Sequence, residues 1–294
     1  YENITAEGRG KDYNQYEEGI FMGYRWYETA YADQLVVTGT PTYNEDGSIA
    51  EQPTTYDFYN DYDEIVTMPF GGGLSYTTID WEVVESDIPL EVHGTNSITV
   101  RVTNTGDWAG KDVVQIYMNA PYYEGGIDKA EVVLVGFAKT DRLKPGESGT
   151  VTITFDTDDL ASYDYLGYKA SLAGEDNRGN PRWGGFVLEA GDYEFRVQSD
   201  AHTQKTSAVE VTLGEDYIYA EDGTYEGAVG ARDSDQEAAY NKVNDVNATD
   251  GSGMIYMQRY SMEDDWDTIC NKGKSTVPGT DKSLGCREDE LTTK

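Results

Sequence analysis

Histidine and cysteine are scarce in this chain: among 294 residues there are two of each, His93 and His202, Cys270 and Cys286. Catalytic zinc and thiol chemistry need several such side chains converging, so most metalloenzyme and thiol-enzyme readings are excluded. Basic residues are also few, 22 Lys and Arg against 55 Asp and Glu, a formal net charge of -33. A surface this negative repels phosphate backbones and anionic lipid, which removes nucleic acid as a partner. Long apolar runs are missing as well. The best, VVLVGFA at 132–138, is of strand length, far short of the roughly 18 to 20 residues of a membrane helix. No membrane partner is expected, and the chain is expected in solution. No basic n-region and apolar h-region follow Tyr1, so the chain reads as a processed or internal segment without a visible targeting signal.

What is present is 38% apolar content with 12% aromatics, enough to build real cores over one to three domains. Composition divides the chain into residues 1–80, 81–214 and 215–294. The first part is rich in Tyr and Gly. A polar insert at 38–64, TGTPTYNEDGSIAEQPTTYDFYNDYDE, separates FMGYRWYETAY from PFGGGLSYT and reads as a surface excursion. The last part is polar and Gly-rich, with only QEAAYNKV hinting at a helical turn, and reads as an extended linker draped over something else.

The middle part carries repeated period-2 alternation: SITVRVTN at 97–104, DVVQIYMN at 112–119, TVTITFD at 150–156, DYEFRVQ at 192–198 and AVEVTL at 208–213. Alternation of this kind makes one face apolar and the other wet. With the turn clusters NTGDWAG, LKPGES and EAGD between them, the runs predict about seven strands and a β-sandwich. AEVVLVGFAK at 130–139 fits a strand buried on both faces or crossing between sheets, and periodicity alone leaves a short helix open. The expected fold class is mainly β.

EGIFMGYRWYET at 18–29 and MPFGGGLSYTTIDWE at 68–82 resemble the closing segment of the α/β sandwich domain in family 3 glycoside hydrolases. VTNTGDWAGKDVVQIYMNAP, VVLVGFAKTDRLKPGESGTVTITFDTDDLASYD and LEAGDYEFRVQSDAH are similar to the fibronectin type III-like domain that follows it in many β-glucosidases. The resemblance covers about residues 15–213. YNKVNDVN and MIYMQRYSMEDDW resemble the connector of permuted members, in which the barrel comes last. Gly72 departs from the family, which usually has a larger residue there, often Tyr or His. The resemblance implies retaining hydrolysis by two carboxylates, a nucleophile on the barrel and an acid/base usually from the sandwich domain. EDDWDT at 263–268 has no strand context for the nucleophile motif, so no catalytic carboxylate is assigned in this chain. The immunoglobulin-like sandwich is thus expected after the end of an α/β domain and before the linker.

Tyr24, Arg25, Trp26 and Tyr27 put three aromatics around one guanidinium, a combination that stacks on a sugar face or packs an interdomain seam; the seam is favoured, and Phe70 of PFGGGLSYT shares that reading. The three glycines of that motif suit a tight turn against another element, and no Lys follows to make a phosphate cradle. The acidic runs at 57–64, 233–237 and 263–267 read as solvated, with calcium on oxygen ligands as the alternative. DVNATDG at 245–251 has part of a calcium-loop spacing but its Gly falls one place late and no Glu closes it. His93 and His202 read as loop or strand-end residues. Cys270 and Cys286 are expected to form a disulfide, which points to an extracellular or cell-surface location. Asn3 and Asn247 stand in glycan acceptor tripeptides. The leading expectation is a non-catalytic portion of such a hydrolase, bracing its barrel and the rest of its sandwich domain over a carbohydrate substrate. The other is a stand-alone Tyr-rich module that binds glycan or assembles with identical copies.

Overall fold

The computed structural model describes residues 18–38, 54–164, 168–169, 185–219 and 257–262, and the backbone of short strands at 2–6, 9–13, 42–43, 49–51, 171–175 and 181–183. The chain forms two compact units, one of residues 67–253 and one of residues 1–66 with 254–294. Among the described residues no helix is long and apolar enough to cross a membrane.

The unit of residues 67–253 is built on seven strands: β1 (Ile79–Asp87), β2 (Thr95–Asn104), β3 (Val113–Asn119), β4 (Val133–Lys139), β5 (Ser148–Asp156), β6 (Gly191–Gln198) and β7 (Val209–Leu213). They make a three-stranded sheet in the order β5-β2-β1 and a four-stranded sheet in the order β4-β3-β6-β7, antiparallel throughout. The expected sandwich is there. Alternation in the sequence places Ile98, Val100 and Val102 of β2 inside, with Val114, Ile116 and Met118 of β3 and Phe195 and Val197 of β6 in the same core. Phe155 and Phe195 stack within it at 5.1 Å. Burying a side chain of this size contributes about 1.5–3 kcal/mol, so this interdigitated layer is the main source of the unit's stability.

Two strands depart from what their patterns predict. DVVQIYMN should have one wet face, yet Gln115 and Tyr117 are as buried as Val114 and Ile116. AEVVLVGFAK, expected as a strand buried on both faces or crossing between sheets, with a short helix left open, forms the edge strand β4 of its sheet, with a register shift between Leu134 and Gly136 and Phe137 exposed. Bulged edges of this kind resist further pairing. A Cβ on Gly136 would stand 2.6 Å from Ile153 Cγ2, so the absence of a side chain lets β4 approach β5 across the open side of the sandwich.

A smaller three-stranded sheet, Ser162–Asp164, Gly185–Leu188 and Tyr217–Ile218, extends the unit. Beside it the buried Lys129 ammonium pairs with the buried Glu189 carboxylate, and Lys169 Nζ joins Glu189 at 2.8 Å and Asp216 at 2.8 Å. Burial pushes the Lys129 ammonium below its ordinary value despite the opposing pull of Glu189.

In the other unit, α1 (Tyr24–Ala32) starts after Gly23, whose φ of 59° favours glycine, and turns Trp26, Thr29 and Ala30 inward. A hairpin pairs Val36–Thr38 with Thr55–Asp57. The insert read as a surface excursion does not stay on the surface: Phe58 and Tyr62, near its end, are buried core residues, because the hairpin returns the chain to α1. Aromatic residues in a polar run, once brought beside a helix, find apolar surface to cover. Met257 and Met262 are buried in the same unit, where Arg259 grips Asp33 with two hydrogen bonds of 2.6 and 2.7 Å.

Candidate functional site

The residues singled out at 24–27 begin α1, and helical periodicity sends them different ways. Trp26 is buried and meets Phe58 edge-on at 5.7 Å, while Tyr27 is at the surface and tilts over the same ring at 6.3 Å. Arg25 stands 6.0 Å over the Tyr24 ring, both half-buried. Glu28, one turn on, accepts a hydrogen bond from the Tyr62 hydroxyl within this core, and Tyr31 stacks on Tyr59 at 5.1 Å. Phe70 belongs to the other compact unit.

The PFGGGLSYT segment lies in the sandwich unit, and its geometry accounts for the two buried polar side chains of β3. Gln115 Nε2 donates to the carbonyls of Gly71 at 3.2 Å and Ser199 at 2.6 Å, and the Tyr117 hydroxyl donates to Gln115 Oε1 at 2.9 Å. Ala201 N–H donates to the Phe70 carbonyl at 2.8 Å. Two donors, Gln115 Nε2 and Ala201 N–H, thus hold the consecutive Gly71 and Phe70 carbonyls of one loop against the outer face of the four-stranded sheet. Gly71 has φ 81°, and a Cβ there would fall 2.1 Å from Gln115 Oε1, so both the turn and the close approach demand glycine. At Gly72 a Cβ would stand 2.9 Å from the Pro69 carbonyl oxygen. A larger side chain there requires the loop to shift.

The following residues are fixed by a second buried amide. Asn104 Nδ2 donates to the carbonyls of Trp108 at 2.7 Å and Leu143 at 3.0 Å, while its Oδ1 accepts from Thr77 Oγ1 at 2.6 Å. The 105–110 turn is thereby folded against Thr77, where a Cβ on Gly106 would be 2.4 Å from Thr77 Oγ1. Sequence reasoning found the loop but not Gln115, Tyr117 or Asn104, which hold it; their only signal was a polar residue inside a strand pattern.

His93 sits in the β1–β2 turn with φ 58°, its Nδ1 2.8 Å from Asp158 Oδ2. Asp158 also accepts the Tyr219 hydroxyl at 2.7 Å. Partial burial works to raise the Asp158 carboxyl, but the hydrogen bonds from His93 and Tyr219 outweigh it and hold the group below its ordinary value. His202 lies in the loop after β6, its backbone N–H bonded to Asp200 Oδ1 at 2.9 Å. In the acidic run at 57–64, Asp57 accepts from the Asn60 side-chain amide at 2.8 Å and the Asn60 N–H at 3.0 Å, which lowers its carboxyl. Among the described residues no three His, Cys, Asp or Glu side chains gather as a metal site. The runs at 233–237, 245–251 and 263–267, Asn247, Cys270 and Cys286 lie outside the described residues, as does the side chain of Asn3.

The fibronectin type III-like domain family matches residues 112–201, the span from β3 through β6. β-Glucosidase A of Butyrivibrio fibrisolvens is 36% identical over 198 residues, covering 63% of this chain and 18% of that protein. The β-glucosidase of Ruminococcus albus is 33% identical over 198 residues, 66% of this chain and 16% of the relative. This chain is similar to part of a family 3 β-glucosidase. Its β-glucosidase-like sequence spans less than a fifth of the length of those two relatives. Among solved structures, β-glucosidase 3B from Thermotoga neapolitana in complex with glucose is similar at 31% identity and a TM-score of 0.45, covering 69% of this chain and 21% of that one.

Proposed function

We propose that this chain is the non-catalytic portion of a family 3 β-glucosidase-like hydrolase, and that it braces the domains that carry the chemistry. The observation that carries this reading is the fastening of the PFGGGLSYT loop onto the sandwich through Gln115, Tyr117 and Ala201. Two sequence elements that resemble different domains of the family thus lie within one compact unit, residues 67–253. A brace needs such a mount, because a fixed loop transmits position to whatever it touches at little cost in conformational entropy. The substrate of the whole protein is proposed to be a β-linked glucoside, after the names of the relatives.

Purified residues 1–294 are expected to show no turnover of an aryl β-glucoside, since retaining hydrolysis needs a carboxylate pair that this chain is proposed not to supply. Turnover abolished by replacing one acidic residue of this chain overturns the reading. An extracellular or cell-surface location is also proposed, on the acidic, Lys-poor composition and the Cys270 and Cys286 pair. Two reactive thiols in the unreduced, denatured protein count against it.

A further inference from the structure

One end of the sandwich gathers a histidine, a carboxylate and two tyrosines from three separate segments. His93 lies in the β1–β2 turn with a left-handed backbone, φ 58°, a conformation that few L residues hold. Here that backbone lets one residue grip one carboxylate twice: the His93 N–H donates to Asp158 Oδ1 at 3.0 Å, and Nδ1 stands 2.8 Å from Asp158 Oδ2. Asp158 belongs to the 3₁₀ turn Thr157–Leu160 that follows β5. Its Oδ1 also accepts the hydroxyl of the buried Tyr219, which follows the short strand Tyr217–Ile218. The His93 ring meets Tyr217 and Tyr219 edge-on at 6.4 and 6.0 Å.

We propose that His93 and Asp158 form a proton-operated tie between the β1–β2 turn and the 3₁₀ turn after β5, tighter in mildly acidic solution than above neutrality. The tie goes beyond the brace reading and does not depend on it. An unperturbed imidazole changes charge at about pH 6.5, which puts the switch in the physiological range. Asp158 is a charged acceptor throughout that range: partial burial works to raise its carboxyl, but the hydrogen bonds from His93 and Tyr219 hold it below its ordinary value. A charged acceptor requires the proton on Nδ1, so neutral His93 already donates and the titrating proton enters at Nε2. The His93 side chain is 48% exposed, so water can deliver it. Protonation then turns an ordinary hydrogen bond into a charge-assisted one between full opposite charges, with no change of partners.

The surroundings favour the cation. Asp156 and Asp159 flank Asp158, Glu91 stands in the turn of His93 itself, and Tyr217 and Tyr219 close the remaining side. Partial burial raises the Asp159 carboxyl and the charges of Asp156 and Asp158 raise it further, the mark of a segment crowded with negative charge. A proton on His93 relieves that crowding. Burial, with the hydrogen bond to Asp158 and its charge, pushes the Tyr219 hydroxyl above its ordinary value, so it stays a neutral donor. The His93 charge contributes below about pH 6.5 and fades as pH rises, whereas Asp158 contributes above its ordinary carboxyl value and fades as pH falls through the depressed one. The tie is strongest between these limits. The turn keeps its shape in both states, because Leu90 N–H donates to Asn96 Oδ1 at 3.2 Å, Asn96 Nδ2 donates to Thr157 Oγ1 at 2.9 Å, and Thr157 N–H donates to the Gly94 carbonyl at 2.9 Å. The proton therefore adjusts the strength of a joint that is always made.

The test is a double-mutant cycle in the 294-residue chain, His93→Asn, Asp158→Asn and both together, with urea unfolding followed at about pH 5.5 and about pH 8, on either side of the imidazole range. Asparagine accepts the left-handed backbone and does not titrate there. The coupling between the two side chains, expressed as an equilibrium constant, is expected to be about fivefold larger at the lower pH, the difference between a charge-assisted and a neutral hydrogen bond at a half-exposed site. Equal coupling at the two pH values overturns the proposal, as does larger coupling at the higher one. Hydrogen exchange of the unsubstituted chain reads the tie directly. With intrinsic exchange corrected for pH, protection of the His93 and Thr157 amides should rise about fivefold on acidification, while the Gly126 amide, bonded to the Tyr123 carbonyl in a turn without histidine, should not change. His93→Asn should abolish the rise at Thr157. A rise that persists in that variant assigns the effect to other groups and overturns the proposal, and protection that falls on acidification overturns its sign.

Discussion

The two sheets of the sandwich share one core but have opposite outer faces. Outside the three-stranded sheet, Thr99 and Thr152 hydroxyls meet at 2.9 Å, Thr103 and Ser148 at 2.8 Å, and Arg101 donates to Glu82 at 2.6 Å, all in water. Outside the four-stranded sheet, Gln115, Tyr117 and Gln198 are buried beneath the loops at 68–73 and 199–203. Both faces are polar in sequence. The same kinds of group contribute little where water competes for them, and a good deal where their loss would leave a dry partner unbonded.

Gln115→Leu is the sharpest way to break the contrast. It leaves the Gly71 and Ser199 carbonyls without their Gln115 donor, while the Tyr117 hydroxyl keeps the Phe70 carbonyl at 3.4 Å, and a loss of about 4 kcal/mol is expected at roughly 1–3 kcal/mol per unsatisfied group. Urea unfolding of the chain checks the magnitude, and proteolysis should open at 68–74 before the sandwich itself. Gly71→Ala comes next, at about 3 kcal/mol, from the left-handed backbone together with the clash on Gln115.

A third experiment probes the rim that joins the sheets. Asp158→Asn replaces a charged acceptor of the His93 and Tyr219 bonds and should cost about 1.5 kcal/mol near neutrality. Because the folded-state value is depressed, Asp158 stabilises the fold above its ordinary carboxyl value, and that contribution is lost as pH falls through the depressed value. The variant should therefore show a flatter acid limb in stability against pH; an unchanged limb refutes the assignment. The smallest effect is expected on the wet face, where Thr99→Val with Thr152→Val should change stability by no more than about 0.5 kcal/mol. A loss there as large as that of Gln115→Leu would erase the distinction between the faces.

Much of the sandwich could be read from the chain. The runs at 97–104, 112–119, 150–156, 192–198 and 208–213 all fall on strands, because period-2 burial is a local property written residue by residue. The wet face expected of β3 is dry, and burial on both faces, one of the readings open for β4, is absent, for one reason. Periodicity reports which side chains share a face, and what lies on that face is decided by segments far away in sequence, here residues 68–73 for β3 and the sheet edge for β4. Tyr24, Arg25, Trp26 and Tyr27 looked like one cluster as a string, while a helix divides them at 100° per residue.

Sequence alone determined the mainly β class, the resemblance to family 3 hydrolases, the acidic charge and the glycine that the Phe70–Gly73 turn needs. Tertiary structure alone decided that Gln115 and Tyr117 are dry, that Phe58 and Tyr62 are core, and that Leu74, Tyr76 and Trp108 are exposed. Hydrogen-bonding capacity and hydrophobicity belong to the residue, but the free energy of either depends on water being present or excluded, and only the folded chain fixes that.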